Sequence, residues 1–261
     1  FHSTAYLMGI LNVTPDSFSD GGQYNSIETA VEKAKEMVAD GASIIDVGGE
    51  STRPGHISLS DAEEIERVVP VIKALRSQLD IPISIDTSKA NVARAALEAG
   101  ADLVNDVWGF KRDPQLAEVT KEFQVPCCLM HNRENRNYTH FLEEVYSDLE
   151  ESVRIALDAG ISKDRILLDP GIGFAKNLEE NLYLMKHLDK LLDLGYPLLL
   201  GTSRKSMIGL SLDLPVHERL EGTIATTVLG YQLGCRIFRV HDVKENYRAL
   251  KMTEIIMKQG E

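Results

Sequence analysis

Short apolar runs alternate along the chain with longer stretches of helical periodicity. Apolar residues recur every three or four positions in segments 27–38, 65–79, 142–153 and 178–185, a spacing typical of amphipathic helices. The runs between such segments are short and mostly apolar, as expected of strands that are covered on both faces. The pattern therefore predicts helices that alternate with buried parallel strands.

Glycine and proline mark where most of these strands begin. Glycines 41, 100, 160, 195 and 234 each suit the left-handed conformation that ends a helix, and an apolar run follows each of them. Pro82 and Pro126 precede two further runs, where proline suits the first residue of a strand. With a run near the start of the chain, the predicted strands are 7–13, 44–47, 83–85, 103–105, 127–130, 166–168, 198–200 and 237–240.

Eight alternations of strand and helix in 261 residues favour an α/β fold, a single (β/α)₈ TIM barrel that spans residues 1–261 as one domain. An open doubly wound sheet is the alternative fold. Pro70 lies inside the second helical segment. Because an interior proline removes a backbone hydrogen bond, we expect a bend at that point rather than the loss of the helix.

Composition narrows the class of protein. Lys and Arg number 28 against 40 Asp and Glu, and the net charge of −12 argues against nucleic acid or an anionic membrane as the main partner. The longest uncharged stretch, 222–235, is shorter than the roughly 20 residues that a membrane helix needs. The sequence begins without a basic leader, and its three cysteines form no CxxC pair, so we expect no secretory signal, reduced buried thiols and a cytoplasmic location.

Polar residues stand at the carboxyl end of nearly every predicted strand. In a barrel these ends share one mouth, which is where the active sites of this fold lie. Buried charges are costly unless they are paired, so such a cluster is either paired internally or positioned for a ligand. The residues are Asn12, Asp46, Asp86, Asn105, His131, Asp169, Ser203, Arg239 and His241.

Two loops at this mouth have unusual composition. Loop one, residues 14–26, is longer than a barrel connection requires and carries one aromatic residue, Phe18, which either covers a ligand or folds back on the barrel. Loop two, residues 48–55, combines paired glycines with Arg53, which is either a mobile cation delivered to the site or a solvated surface residue.

Three basic residues follow strands seven and eight, where barrels often bind phosphate. Lys205, Arg239 and, if protonated, His241 suit a diphosphate; the alternative is that they neutralise carboxylates such as Asp169 and Asp242. Motifs of nucleotide-cofactor enzymes, zinc proteases and serine hydrolases are absent from the sequence.

The inward-pointing acids suggest a different ligand chemistry. Asp86, Asn105 and Asp169 suit a flat heterocycle whose amino group and ring N–H pair with carboxylate oxygens. Asn12 could supply one oxygen to Mg²⁺, which relies on substrate phosphates and water for its other ligands. Considered alone, Asn12 is better explained by a hydrogen bond to a neighbouring strand.

Four segments, MGILNVTPDSFSDGG (8–22), DVGGESTRPG (46–55), LDPGIGF (168–174) and GTSRK (201–205), resemble the dihydropteroate synthase family, folate-pathway enzymes that sulfonamides inhibit. The resemblance covers essentially the whole chain. It implies a pterin-binding TIM barrel, a Mg²⁺-dependent transferase and a homodimer that forms through the barrel helices. The implied reaction joins 6-hydroxymethyl-7,8-dihydropterin diphosphate to 4-aminobenzoate and gives 7,8-dihydropteroate and diphosphate.

The resemblance also implies a role for each matching residue. Asp86, Asn105 and Asp169 would hold the pterin, with Lys205 reaching its ring, while Arg239 and His241 would hold the diphosphate and Asn12 its Mg²⁺. Asp20, Arg53 and Lys205 would be the catalytic group, with Asp20 ordering loop one as it closes. The residues implied at the 4-aminobenzoate site are Phe18, Thr52, Arg53, Pro54 and Ser206.

Two alternative functions remain open at this point. One is a pterin-binding barrel that moves a methyl group from a methylated folate to a corrinoid protein, although such a protein has no use for segments 52–54 and 203–205. The other is a non-catalytic relative that only binds pterins, although Asn12, Lys205, Arg239 and His241 are all present.

Overall fold

Eight parallel strands form one sheet in the computed structural model, which describes residues 4–13, 23–52 and 55–260. All eight predicted strands are confirmed, with ends that shift by one residue at most. The strands are β1 (Tyr6–Asn12), β2 (Ile44–Gly48), β3 (Ile83–Asp86), β4 (Leu103–Asp106), β5 (Cys127–Met130), β6 (Ile166–Asp169), β7 (Leu199–Leu200) and β8 (Ile237–Val240).

The sheet closes on itself as a barrel. Its strand order is β6-β5-β4-β3-β2-β1-β8-β7, and a parallel bridge between Leu168 and Leu198 joins the two ends. At this junction the Leu168 N–H donates to the Pro197 carbonyl at 3.0 Å. The predicted TIM barrel is therefore confirmed, and the alternative of an open doubly wound sheet is wrong.

Helices cover the outside of the barrel between successive strands. Within the described residues they are α1 (Gln23–Ala39), α2 (Asp61–Gln78), α3 (Ala90–Glu98), α4 (Gln115–Glu122), α5 (Phe141–Asp158), α6 (Leu178–Lys186), α7 (Ser206–Leu212), α8 (Leu220–Gln232) and α9 (Val243–Met257). The five helix-ending glycines all have positive φ, between 82° and 119°, as their positions predicted. None of the described helices is both long and apolar enough to cross a membrane.

Two sequence expectations about helices need comment. Helix α2 begins with a capping box between Ser60 and Glu63 and continues through Pro70 without interruption. Helix α1 begins at Gln23, so the prediction that loop one extends to residue 26 is wrong. The first helical residues are polar and precede the apolar repeat, so hydrophobic periodicity could not show them.

Apolar side chains pack in two layers. Met8, Leu103, Cys128, Leu167, Leu199 and Ile237 fill the inside of the barrel. A larger cluster lies between the strands and the helices, with Leu11, Ile45, Ile85 and Leu129 among its fully buried members. All three cysteines are buried and free, as predicted. The inner layer leaves the polar strand ends as the floor of the mouth.

Candidate active site

Strand register places the polar tips at one level of the barrel mouth. Asn12 is opposite Gly48, Gly48 is opposite Asp86, and Asp86 is opposite Asn105. Farther round the barrel, Asp169 at the end of β6 is opposite Met130 on β5. Because parallel strands all end on the same side, the predicted pterin residues do converge.

Four side chains at the mouth form what we call the Arg239 network: Asp46, Asp86, Asn105 and Arg239. The Arg239 guanidinium links the carboxylates on β2 and β3, and Asn105 on β4 joins through Asp46. Arg239 on β8 donates from Nε to Asp46 Oδ2 at 2.7 Å and from one terminal nitrogen to Asp86 Oδ2 at 3.2 Å. Asn105 Nδ2 donates to the same Asp46 oxygen at 3.2 Å. Asp46 is fully buried, so Arg239 is its charge partner inside the protein.

Burial and neighbouring charges shift the pKa values of Asp86 and Arg239. Burial, and then the like charge of Asp46, raise the pKa of Asp86 to about 8, although Arg239 opposes that change. Burial works against the guanidinium, yet the two carboxylates raise the pKa of Arg239 above its ordinary value. Arg239 therefore stays charged, while Asp86 exchanges a proton near neutral pH.

On the other side of the mouth, Asp169 and Lys205 are held by backbone groups. Asp169 Oδ1 accepts a hydrogen bond from the Gly171 N–H at 2.8 Å, and the Lys205 ammonium donates to the Ile172 carbonyl. The same ammonium lies 4.8 Å from the centre of the Phe174 ring. Burial lowers the pKa of Lys205 to about 8, against the attraction of Asp169. The backbone partners of both residues, the Gly171 N–H and the Ile172 carbonyl, come from the connection between β6 and α6, residues 170–177, which we call the β6–α6 loop.

His241 is fixed by the loop that follows β7. The His241 N–H donates to Ser203 Oγ at 3.1 Å, and the same hydroxyl is in hydrogen-bond contact with His241 Nδ1 at 2.7 Å. Burial, together with Arg204 and Arg239, lowers the pKa of His241 to about 3. The sequence counted His241 as a third cation only if it is protonated, and this lowered pKa favours the neutral ring at pH 7.

Arg204 neutralises a carboxylate, which is the alternative role that the sequence left open for the basic residues after β7 and β8. It donates to both carboxylate oxygens of Asp242, at 2.8 and 3.2 Å. Arg204 also adopts a left-handed backbone conformation, with φ of 57°, which turns its side chain away from the direction that Lys205 takes. One basic residue of the GTSRK segment thus neutralises a carboxylate while the next one points into the mouth.

A small gap beside Gly48 bears on the predicted magnesium ligand. Asn12 is exposed at the end of β1. A Cβ placed on Gly48 would lie 3.7 Å from Asn12 Oδ1 and 3.4 Å from Asp86 Oδ2, so glycine leaves both oxygens open to the same space. No cluster of three or more His, Cys, Asp or Glu suited to a metal occurs in residues 4–13, 23–52 and 55–260. An amide oxygen next to a diphosphate site fits Mg²⁺, whose remaining ligands are substrate oxygens and water.

The residues predicted for 4-aminobenzoate are only partly described. Thr52 and Ser206 are both exposed, and Ser206 is the first residue of α7. Phe18, Asp20, Arg53 and Pro54 lie outside the described residues. Loop two is anchored just before Thr52, where Glu50 accepts a hydrogen bond from Lys89 at 2.8 Å, and Lys89 also contacts Glu64 at 2.9 Å.

Sequence reasoning missed one polar cluster next to the mouth. Lys176 follows the end of the LDPGIGF segment by two residues and is buried against His131. His131 in turn contacts Asp148 on α5. His131 was identified at the end of β5, but neither Lys176 nor Asp148 stands at a strand end. A single lysine in a loop gives no local pattern that marks it as buried.

Comparison with known proteins agrees with this geometry. The family described as pterin binding enzyme matches residues 8–241. A dihydropteroate synthase of Clostridium beijerinckii is 60% identical over 255 residues, which cover 97% of this chain and 95% of that protein.

Solved structures give the same result. A dihydropteroate synthase from Clostridium difficile, crystallised in the presence of pteroic acid, has a TM-score of 0.97, 52% identity and 99% coverage of each chain. The Yersinia pestis dihydropteroate synthase, in a sulfonamide drug complex, has a TM-score of 0.92 and 42% identity, with 98% of this chain and 96% of that chain covered. The chain thus belongs to the dihydropteroate synthases, transferases of the pterin-binding enzyme family.

Proposed function

We propose that this chain condenses 6-hydroxymethyl-7,8-dihydropterin diphosphate with 4-aminobenzoate, in a Mg²⁺-dependent step of folate biosynthesis that releases diphosphate. One observation carries the proposal. Buried acceptors for a heterocycle, Asp86, Asn105 and Asp169, and half-buried cations for an anion, Lys205 and Arg239, share a single mouth. The pteroic acid of the Clostridium difficile crystals contains both halves of the proposed product.

The pterin would bind between the two acidic sides of the mouth. Asp169 keeps one oxygen beyond its bond to Gly171, and a carboxylate can accept two N–H groups of a planar ring side by side. Asp86 and Asn105 would receive the opposite edge, and Lys205 would reach the ring from the rim.

The diphosphate would lie toward Arg239 and His241. Arg239 uses two of its nitrogens on Asp46 and Asp86, and a guanidinium has five N–H donors in all. With the Ser203 hydroxyl donating to Nδ1, His241 would carry its ring proton on Nε2 and present that N–H to the anion. Asn12 would hold Mg²⁺ against the same diphosphate; when bound, the ion neutralises charge on the leaving group.

The 4-aminobenzoate site would be formed where loops one and two meet the start of α7. Thr52 and Ser206 are the described members, and Phe18, Arg53 and Pro54 are assigned by resemblance. Sulfonamides would compete at this position. Asp20 and Arg53 would order the loops around the reacting carbon and exclude water. Turnover that stays unchanged in both Asp20→Ala and Arg53→Ala would contradict this closure role.

The reaction would proceed by dissociative displacement. The bond between the exocyclic methylene carbon and the diphosphate oxygen breaks first, and the electron pair leaves with the diphosphate. The electron-rich pterin, held by Asp86 and Asp169, stabilises the cation, and the cations of the mouth stabilise the departing anion. The neutral arylamine then attacks the methylene carbon and afterwards loses one proton, so no strong general base is required.

A coupled assay for released diphosphate tests the proposal. Diphosphate should appear only when both substrates and Mg²⁺ are present, in equal amount to 7,8-dihydropteroate. Pterin binding without diphosphate release would contradict it and favour a non-catalytic relative. Methyl transfer from a methylated folate to a corrinoid protein would contradict it in favour of the other alternative.

The protein would act as a cytoplasmic homodimer. Support for an interface comes from apolar side chains exposed on the later helices, because large exposed apolar patches often mark protein contacts. Leu210 on α7 is 67% exposed, and Ile255 and Ile256 on α9 are 56% and 58% exposed. Light scattering coupled to gel filtration should give twice the chain mass, and a monomer mass would contradict the dimer.

A further inference from the structure

Lys176 makes three polar contacts, and two of them are with one short stretch of the chain. Its side chain is buried and donates to the Gly171 carbonyl at 2.9 Å and to the Phe174 carbonyl at 2.8 Å. The third contact is with His131 Nδ1 at 2.8 Å. An ammonium has three donors, so each is engaged, and two of them hold opposite ends of the turn that follows Asp169.

His131 connects Lys176 to helix α5. Because His131 Nδ1 accepts from Lys176, its Nε2 carries the ring proton and donates to Asp148 Oδ2 at 2.8 Å. Arg133 Nε donates to the same oxygen at 2.6 Å. Burial lowers the pKa of His131 to about 4, which keeps the ring neutral and able to accept. The chain of contacts fixes Lys176 from the outside of the barrel.

The held segment adopts a backbone conformation that its residues do not favour by themselves. Gly171 has φ of 73°, and a Cβ there would lie 2.0 Å from the His131 carbonyl oxygen. Ala175 also has positive φ, 51°, which is strained for a residue with a side chain. Such conformations persist only where surrounding contacts stabilise them. Lys176 is next to Ala175 and supplies those contacts.

The same segment supports the active-site lysine. Between the two carbonyls that Lys176 binds lie the Ile172 carbonyl, which accepts from Lys205, and Gly173, whose N–H donates to Asn181 at 2.9 Å. Phe174 places its ring 4.8 Å from the Lys205 ammonium. The buried Lys176 and the half-buried Lys205 therefore contact the same turn.

We infer that Lys176 is a positioning residue: by holding residues 171–174 from beneath, it sets the position of Lys205 at the mouth. The inference deepens the proposed function and rests on Lys205 contacting the pterin there. The contacts of Lys176 are with Gly171, Phe174 and His131, so it would act through Lys205 rather than on substrate.

Lys176→Met, with Lys163→Met as the matched control, tests the inference. Lys163 lies just before the opposite end of β6, 5.4 Å from the centre of the Tyr196 ring. Titration calorimetry with the dihydropterin diphosphate should show at least a tenfold weaker affinity for Lys176→Met and less than a twofold change for Lys163→Met. A lower melting temperature with affinity within twofold of wild type would overturn the inference, because it describes a merely structural lysine.

A double-mutant cycle separates positioning from a general loss of structure. If Lys176 acts through Lys205, its substitution in a Lys205→Ala background should weaken pterin binding less than threefold. If the two substitutions weaken pterin affinity independently, so that their fold-changes multiply in full, the inference is overturned. Should Lys176→Met fail to fold, Tyr138→Phe removes a single contact to the same loop, the 2.9 Å bond from the Tyr138 hydroxyl to the Ala175 carbonyl. A threefold loss of affinity there, absent in the Lys205→Ala background, would support the inference, and no loss would overturn it.

A crystal structure of Lys176→Met distinguishes the inference from the proposed function. Lys205 should leave the Ile172 carbonyl, and an unchanged contact would overturn the inference. A displaced Lys205 with unchanged pterin affinity would support the positioning by Lys176 and contradict the proposed pterin contact of Lys205.

Discussion

The two acidic sides of the mouth neutralise their charge in different ways. In the Arg239 network, Asp46 and Asp86 share one guanidinium that reaches across the barrel from β8. Across the mouth, Asp169 and Lys205 each rely on a backbone group of the β6–α6 loop. The first side is built from side chains that stabilise one another, so a substitution there should affect folding. The second leaves its side chains available, so a substitution there should affect binding more than folding.

The largest effect is expected for Asp46→Asn. The substitution removes a fully buried charge partner of Arg239, and breaking a buried ion pair costs about 3 kcal/mol or more. Urea denaturation measures the loss. The control is Asp102→Asn, which breaks an exposed pair with Arg76 and should cost less than about 1 kcal/mol. Equal losses in the two variants would show that the Arg239 network has no special role in stability.

Asp169→Ala should chiefly change binding. Loss of a charged hydrogen-bond acceptor costs about 2 kcal/mol, so pterin affinity should fall more than tenfold. Titration calorimetry measures it, with Asp164→Ala, an exposed residue before the other end of β6, as the control. The loss of stability should be smaller than in Asp46→Asn. An unchanged pterin affinity would show that Asp169 does not contact the pterin.

The pH dependence of stability should distinguish the two sides of the mouth, because Asp86 belongs to only one of them. Since its folded pKa, about 8, lies above its unfolded value, the folded state holds the extra proton between roughly pH 4 and 8. That stabilisation is complete at the low end of the window and is lost as pH rises through 8. Asp86→Asn mimics the protonated acid, so its stability relative to wild type should rise by up to about 1.4 kcal/mol per pH unit between roughly pH 4 and 8 and level off above 8.

Melting curves from pH 6 to 9.5 measure this difference. Asp102→Asn serves again as the control, and its difference from wild type should stay constant over the range. A constant difference for Asp86→Asn as well would mean that Asp86 is already ionised at pH 6, and that Arg239 outweighs burial and Asp46 at this position.

The smallest effect is expected for Ser203→Ala. The hydroxyl fixes the ring of His241, and a neutral hydrogen bond contributes about 1 kcal/mol. Inhibition by diphosphate should weaken about fivefold, which is that free energy expressed as a binding ratio. Ser77→Ala, on the outer surface of α2, is the control. A loss of a hundredfold would mean that Ser203 contacts the diphosphate directly.

The barrel could be predicted from the sequence because each strand is marked by residues close to it in the chain. Apolar runs, helix-ending glycines and the prolines before β3 and β5 are all properties of a few adjacent residues. The polar strand ends were predicted for the same reason, since position along a strand fixes which end of a barrel a residue reaches. The start of α1 was missed because polar residues open that helix.

Pairings between distant residues could not be predicted. Asp46 and Arg239 are 193 positions apart, and nothing near either one indicates that they share a hydrogen bond. The pairing of Lys176 with His131 is of the same kind. The charge state of His241 also depends on such contacts, because Arg204 and Arg239 act on it through the fold and not through sequence proximity. Roles assigned to Phe18, Asp20, Arg53 and Pro54 remain predictions from resemblance.

Barrel closure between β6 and β7 has a consequence for how the protein opens. A single bridge, Leu168 to Leu198, joins these strands, β7 is only two residues long, and Pro197 has no N–H to contribute. Amide hydrogens along this seam should exchange with solvent sooner than those between β1 and β2, where five residue pairs are in register. Asp169 stands at the top of the seam, so the least protected junction of the barrel lies directly under the place where substrate would bind.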